Sequence, residues 1–553
     1  MSKTQKSLVG GMTVLGITGI ICKLVGVLFS IPLTWLIGAE GMALFQLVFP
    51  TYNLLLTISS AGLPVAISRM VSHCLAKDDP RNAKRVFRIA LWMLTVLGLI
   101  CTILMLVGNQ FLATRVGEPQ AAPGYIAIAP CLVMVCALSA FRGFMQGQQN
   151  MVPTATSQLI EQVGKVFISL PMAYIGAQRG LAYGAAGALL GITIVEALAL
   201  LYMIILYLRR RNNFEQIPQD DAAEIYSGKT LASRLIRIAI PITISACIVP
   251  LAQFVDSTML LNRMIASGLT REEALPLYGL FSGLVIRLIN IPTGLALAVA
   301  MSLVPAISAA KAINDHKAIA RQSDIGLRFA FLIGFPCSIG MSLLAKPIMA
   351  FFYAETLTAE HLQVASELLT VSSLTVLLFT VVQATSSILQ GLHKQRIPMY
   401  TMIAGVSCKI VLNYILVGIP GFHIHGGPVA SLVCYSVAML PNLYFVLKYG
   451  HVKFNWMGWV VRPGAATAAM GLVVFLLREL LPLNRLTTLV EITLGVAVYI
   501  GVALLVKAVT PEDFRSFRRG KAKRPSHSRR LNGYDAYDLC GVIGTGRSRA
   551  ADA

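Results

Sequence analysis

Long apolar runs dominate the chain, and short polar breaks rich in charged residues, glycine or proline separate them. A helix that crosses a bilayer needs about 20 mostly apolar residues. Runs of that length number fourteen. They lie at approximately 8–37, 43–71, 87–112, 124–147, 153–176, 183–208, 236–262, 276–305, 326–353, 363–392, 397–418, 428–448, 459–481 and 487–508. The pattern predicts an all-α, polytopic membrane protein with about fourteen transmembrane helices.

Short segments also recur at a nearly constant spacing. Gln-Gly at 146–147 stands before Lys165, and the same pair at 390–391 stands before Lys409, an offset of 244. Two parallel six-helix lobes followed by two appended helices fit this repeat, which is an architecture found in transporters. The predicted organisation is an N-terminal lobe (1–208), a cytoplasmic linker (209–235), a C-terminal lobe (236–449), two appended transmembrane helices (450–508) and a basic cytoplasmic tail (509–553).

Composition excludes a soluble globular protein. Of the 553 residues, 56% are hydrophobic and 13% charged, whereas soluble domains carry about 25% charged residues. The net charge of +21 would suggest nucleic acid, but the positions of the cations point to topology. With a cytoplasmic N-terminus, 32 Lys and Arg face the cytoplasm and seven face outside. We therefore predict a multi-pass protein of the bacterial cytoplasmic membrane with both termini inside, bound by membrane lipids and not by nucleic acid.

Cations inside the predicted spans are the most informative residues, because a charge at the centre of a transmembrane helix costs a few kcal/mol on insertion scales. Four lie near the midplane and are candidate substrate-binding residues: Lys23, Lys165, Arg287 and Lys409. Three lie near helix ends, where a long side chain reaches the interface: Arg69, Arg142 and Arg462. The midplane balance is positive and suits an anionic ligand; arginine binds phosphate through two parallel hydrogen bonds.

Acidic residues within the spans are few: Glu161, Glu196 and Asp256. Glu161 precedes Lys165 by four residues, and this spacing predicts an ion pair on one helical face. Asp256 is interpreted as an interfacial acid, with a cation site as the alternative. Asp256 and Glu161 are therefore the candidate ion-coupling residues, and coupling to a monovalent cation or to the membrane potential stays open.

The segment Pro292–Gly294, beside Arg287, predicts a helix kink that serves as the gate for alternating access. Enzyme signatures are absent from the sequence: it contains neither an H-E-x-x-H motif nor a Walker-type loop, and its ten cysteines form no C-x-x-C pair. These observations favour a transport protein that is not an enzyme and needs no cofactor.

Two stretches resemble a known family. Residues 26–69, which include Gly62-Leu63-Pro64, are similar to stage V sporulation protein B and its polysaccharide-biosynthesis relatives. Residues 287–294 resemble the R-L-x-x-x-P-x-G pattern of the MurJ-type lipid II flippases. The resemblance implies the multidrug/oligosaccharidyl-lipid/polysaccharide exporter superfamily, with two lobes around a central cavity. The implied role is to move an undecaprenyl-pyrophosphate-linked sugar precursor across the membrane for cell-wall synthesis.

The same resemblance implies roles for particular residues. Arg287 matches the essential cavity arginine of the motif, and Lys23 falls near basic residues of the family's first span. Asn290 occupies a position where some relatives carry an acid, and uncharged residues near Leu44 and Thr57 replace charged ones of the Gram-negative flippases. The implied partners are the lipid-linked anionic precursor and, as a further candidate, the cell-wall synthesis machinery.

Three alternatives stay open at this stage. A multidrug or cation exporter of the same fold would be expected to place acids centrally. A membrane-embedded glycosyltransferase or polymerase would need catalytic carboxylates or a His/Asp set at the outer interface. A sporulation assembly protein without transport activity is the third.

Overall fold

Apolar sequence forms helices here because each backbone N–H and C=O group in hydrocarbon must be bonded within its own segment. The computed structural model describes residues 3–76, 79–215, 226–480, 482 and 484–508, and within those ranges it contains α-helices and no β-strand. The helices are α1 Lys3–Ser60, α2 Leu63–Leu75, α3 Pro80–Val107, α4 Asn109–Arg115, α5 Ala122–Gly147, α6 Val152–Gly164, α7 Leu170–Ala177, α8 Leu181–Glu215, α9 Gly228–Ala266, α10 Arg271–Tyr278, α11 Ile286–Ala312, α12 His316–Leu343, α13 Ala345–Tyr353, α14 Ala359–Gly391, α15 Arg396–Leu416, α16 Gly426–Gly450, α17 Arg462–Leu480 and α18 Arg485–Leu505.

The prediction of an all-α polytopic membrane protein is confirmed, but the count of fourteen spans is not. Among the described residues, eleven helical segments are long and apolar enough to cross a membrane, or twelve when the bent helix α9 counts as one span. Leu28–Leu75 counts there as a single span. The stretch from α6 to α7 is not among them, and it carries Glu161 and Lys165.

A break at Gly38 divides α1 into the parts 3–37 and 39–60. Gly38 has φ 65° and ψ −173°, a backbone conformation that only glycine adopts without strain. The sequence places a boundary between its first two predicted spans at the same point. After the break, α1 runs against the segment before α11: a Cβ at Gly279 would lie 2.1 Å from the Ala39 carbonyl oxygen.

Three π-helical turns interrupt the described helices, at Lys165–Ser169, Gly279–Val285 and Met457–Val461. Such turns often occur at functional sites. One begins at Lys165, and another ends two residues before Arg287. In contrast, α11 continues as one helix through Pro292 and Gly294. A π-helical turn therefore lies just before Arg287, and the predicted kink at Pro292–Gly294 stays a prediction within a continuous helix.

Apolar side chains form three clusters. One joins α2, α3, α5, α8 and the start of α9, and at its centre Phe87 packs against Phe141, Phe144 and Tyr207. A second joins α11, α12, α14 and α16 around the buried Trp459. The largest cluster connects α1, α5 and α8 with helices that follow α9. Through this last cluster, α1 packs against both the N-terminal half (α1–α8), to which it belongs, and the C-terminal half (α9–α16).

Close helix packing in the N-terminal half depends on glycine. Gly187 and Gly191 lie four residues apart on α8, a spacing that lets two membrane helices approach closely. A Cβ at Gly187 would lie 2.2 Å from the Met172 carbonyl oxygen, and one at Gly191 would lie 2.3 Å from the Ser169 Cα atom. Both obstacles are backbone atoms, which cannot rotate away.

Substitution of Gly187 by leucine should destabilise the fold by about 1–3 kcal/mol, because it overpacks the contact between α7 and α8. Thermal unfolding of the purified protein in detergent measures this as a lower Tm. Gly501→Leu is the matched control, since nothing lies within 4 Å of a Cβ at that position. Equal Tm values for the two variants would contradict the packing described here.

Candidate functional site

A cavity of about 420 Å³ lies between the second part of α1 and the helices of the C-terminal half. Side chains from α1, α9, α10, α11, α14, α15 and α16 line it, together with the π-helical turn before α11. This volume is within the range of small-molecule pockets, which run from about 300 to 1,000 Å³. The cavity holds three of the predicted binding residues, namely Arg287, Asn290 and Lys409.

Arg287 projects from the first turn of α11, where neutral groups surround it. Its Nη2 donates to Gln46 Oε1 over 3.3 Å, and its guanidinium carbon lies 5.7 Å from the centre of the Phe45 ring. Gln46 is itself fixed in orientation, because its Nε2 donates to the Ser282 carbonyl oxygen over 2.6 Å. The amide therefore presents its oxygen to the guanidinium without neutralising the charge.

Lys409 has a different environment, because its ammonium group pairs with the Asp256 carboxylate. Asn413 donates from Nδ2 to the other carboxylate oxygen over 2.8 Å. The Lys409 and Asp256 side chains are each 18% exposed. The interpretation of Asp256 as an interfacial acid is thus wrong: it lines the cavity and neutralises a lysine. Among the described lining residues, Arg287 is the cation that has no carboxylate partner.

The remaining predicted residues lie in different places. Asn290 lines the cavity, and its carbonyl oxygen accepts from Thr293 Oγ1 over 3.1 Å. Pro292 and Gly294 are buried within α11 and do not line the cavity. Lys23 belongs to α1, but its side chain lies outside the described residues.

Lys165 and Glu161 lie outside the cavity lining, and the predicted ion pair between them is wrong. Glu161 pairs instead with Arg142 of α5, whose Nε donates to Ser157 Oγ over 2.9 Å. Helix α6 ends at Gly164 and the π-helical turn begins at Lys165, so the α-helical spacing assumed for the pair ends between the two residues. Arg142, predicted to reach the membrane interface, has a side chain only 15% exposed and bonded within the protein.

Sequence reasoning missed two features of the site. They are Gln46, which accepts a hydrogen bond from Arg287, and Tyr278, whose hydroxyl donates to the Gln46 carbonyl oxygen over 3.3 Å. An uncharged glutamine within an apolar run carries little signal, although a polar residue inside a span is itself a clue.

In the described part of the chain, no group of three or more His, Cys, Asp or Glu side chains is placed to hold a metal ion.

The fold is shared with solved membrane transporters. The structure of Lipid II flippase MurJ in an inward closed conformation matches with a TM-score of 0.68 at 15% identity, covering 91% of this chain and 99% of that one. An inward-facing multidrug resistance MATE family transporter of the MOP superfamily matches with a TM-score of 0.65 at 16% identity, covering 79% and 98%. The protein is thus a multi-pass membrane protein with the fold of the MOP superfamily transporters.

Sequence comparison supplies the family. The family described as Polysaccharide biosynthesis protein matches residues 8–311, and the family described as MatE matches residues 241–415. The chain belongs to the polysaccharide biosynthesis protein family, which confirms the resemblance seen in its sequence.

Two relatives from Bacillus subtilis (strain 168) cover most of the chain. Lipid II flippase MurJ is 26% identical over 472 residues, which is 82% of this chain and 84% of the relative. Stage V sporulation protein B is 26% identical over 445 residues, which is 80% of this chain and 84% of the relative. The similarity thus extends through both halves of the molecule.

The pairing of Lys409 with Asp256 can be tested by stability. Lys409→Met alone should cost about 3–5 kcal/mol, because it leaves a buried carboxylate without its counter-charge. The double variant Lys409→Met/Asp256→Asn should recover most of that loss, as measured by thermal unfolding in detergent. Arg485→Ala is the control: its pair with Glu355 is exposed and should contribute little. A double variant no more stable than Lys409→Met would contradict the pairing.

Proposed function

We propose that the protein is a flippase that moves an undecaprenyl-pyrophosphate-linked cell-wall precursor, lipid II or a related lipid-linked oligosaccharide, across the cytoplasmic membrane. In this proposal the chain is not an enzyme, and no bond of the substrate is made or broken. The protein alternates between states in which the cavity is open to one side of the membrane and then to the other. The family and its relatives support the class of substrate.

One observation carries the proposal: Arg287 faces the cavity with a charge that no carboxylate neutralises. A guanidinium in a half-buried position needs an anionic partner to offset its desolvation, and Gln46 gives only a neutral oxygen. The planar donor fork suits the two oxygens of a phosphate. Lys409 contributes less, since Asp256 already compensates its charge.

A cation exporter of the same fold is the weaker candidate. Among the described lining residues, Asp256 is the one acid, and Lys409 already occupies it. The described cavity is therefore cationic, which repels a cationic drug. A glycosyltransferase or polymerase would need a second carboxylate near the first, and the described lining has none.

For the architecture, we propose two six-helix lobes, at 1–208 and 236–449, joined by a linker and followed by two appended helices. Glycines that match in the sequence repeat support it by occupying similar contacts. A Cβ at Gly147 of α5 would lie 2.7 Å from the Val71 Cβ atom of α2. One at Gly391 of α14 would lie 2.9 Å from the Ile307 Cβ atom of α11. Each glycine is the last residue of its helix. It contacts the helix that forms the end of the second predicted span in the same lobe, namely α2 for Gly147 and α11 for Gly391.

Substitution of Arg287 tests the substrate assignment. A charge-assisted hydrogen bond contributes about 1.5–3 kcal/mol, so Arg287→Ala should weaken binding of a pyrophosphate-linked polyprenyl probe by roughly 10- to 100-fold. The affinity of Arg287→Lys for the probe should lie between those of the wild type and Arg287→Ala, because lysine keeps the charge without the planar fork. The measurement is binding, and then translocation of the fluorescent probe in proteoliposomes, followed with a quencher that cannot cross the membrane.

Arg263→Ala is the matched control for that experiment. Arg263 also lies over an aromatic ring, 4.0 Å from the centre of Tyr414, but it does not line the cavity. The Arg263→Ala variant should bind and translocate the probe as the wild type does. An Arg287→Ala protein that is folded and equally active would refute the role of the arginine.

The proposed orientation, with both termini in the cytoplasm, predicts which loops are accessible from outside the cell. Gln120→Cys and Lys229→Cys lie at exposed positions on predicted opposite sides of the membrane. In a chain without its native cysteines, a maleimide that cannot cross membranes should label only Gln120→Cys in intact cells. Both positions should react after lysis, and labelling of Lys229→Cys in intact cells would reverse the orientation.

A further inference from the structure

A second polar cluster lies in the N-terminal half and does not line the cavity. It brings together Glu196 of α8, Glu161 of α6, Arg142 of α5 and Lys165 at the start of the π-helical turn. Glu196 is only 5% exposed, and among the described residues its Oε2 atom has no hydrogen-bond partner. Neither the fold nor the proposed substrate site explains a buried acid with an unpartnered oxygen.

The neighbours of Glu196 make an ionised state unfavourable. Arg142 is already engaged, because it pairs with Glu161 and donates to Ser157. Glu196 in turn lies within hydrogen-bonding reach of Glu161. Two carboxylates in contact cannot both ionise without strong repulsion, and a buried carboxylate oxygen without a donor is costly. One proton between the two acids removes both penalties, because the protonated acid donates to the other.

We propose that Glu196 and Glu161 share one proton, so that the N-terminal half contains a proton-binding site. In the protonated state the pair carries a single negative charge, which Arg142 neutralises. Loss of the proton would leave two negative charges facing Arg142 and Lys165. Lys165, which does not line the cavity, would then be the cation that compensates the second charge.

The cluster suits a proton better than a metal cation. Arg142 contacts Glu161 directly, and its positive charge repels a second cation at the same oxygens. A metal ion also needs several oxygen ligands. In the described part of the chain no set of three acidic, histidine or cysteine side chains is placed to supply them.

Other titratable groups around the pair are occupied by neutral contacts. The Tyr52 hydroxyl and the Cys131 thiol bond to each other over 3.1 Å, and the Cys22 thiol donates to the Gln158 carbonyl oxygen over 3.7 Å. Among the residues whose side chains the structure describes, the titratable and charged groups that face the two acids are Cys22 and Tyr52 of α1, Cys131 and Arg142 of α5, and Lys165 of the π-helical turn. None of these is a further acid, so the two glutamates account for proton binding here.

Infrared spectroscopy of the full-length protein in lipid nanodiscs tests the shared proton without any substrate, so its outcome is independent of the proposed function. A protonated carboxylic acid has a C=O stretch that shifts in deuterated water. We expect part of this band to be lost in Glu196→Gln and the same part in Glu161→Gln, because both acids hold one proton. The exposed Glu360→Gln is the control and should leave the band unchanged.

Arg142→Gln extends the test. Without its guanidinium the second acid should also take up a proton, so the band should become stronger. A merely structural role for Arg142 would not produce that change. The proposal fails if the band survives in both glutamine variants, if only Glu196→Gln removes it, or if Na⁺ removes it at constant pH.

A second measurement covers variants that do not fold. Dicyclohexylcarbodiimide modifies protonated carboxyl groups within membranes, and mass spectrometry of the wild-type protein locates the modified residue. We expect modification at Glu161 or Glu196 in acid that declines as the pH rises. Absence of modification at both residues over the whole pH range would overturn the proposal.

Discussion

The cost of placing a charge within hydrocarbon constrains the arrangement of this protein more than any other interaction. Among the described residues, Arg142 is offset by Glu161 in one half, and Lys409 by Asp256 in the other. Both pairs join different helices, so each fixes a helix contact as well as a charge. Arg287 departs from this pattern, since its partners are the neutral Gln46 and the Phe45 ring. The unmet charge is concentrated at one point of the cavity.

The two halves use their polar groups differently. The C-terminal half, with the second part of α1, encloses the cavity around Arg287. The N-terminal half buries Glu196 and Glu161, and neither lines that cavity. Helix α1 reaches both: Cys22 bonds to α6 beside the acids, and Gln46 bonds to Arg287. A change in either site therefore acts on the same helix.

Features that depend on neighbours along the chain were predictable from sequence. Apolar runs predict the helices, and mid-span positions predict that Arg287 and Lys409 come together. Partners that are distant in sequence were not predictable: Asp256 lies 153 residues from Lys409, and no local spacing connects them. Local reasoning also misassigned the partner of Glu161, because the π-helical turn ends the regular spacing. The count of spans is not confirmed where polar residues interrupt an apolar run, as they do between α6 and α7.

Gly38 is restricted to glycine by its backbone conformation and not by a lack of space for a side chain. Nothing lies within 4 Å of a Cβ at this residue, so a side chain would have space. The obstacle is the backbone, whose φ of 65° and ψ of −173° mirror an extended conformation that L-residues adopt easily. A D-alanine at this position would be unstrained, whereas L-alanine would not. The chirality of L-residues thus restricts this position in the break of α1 to glycine.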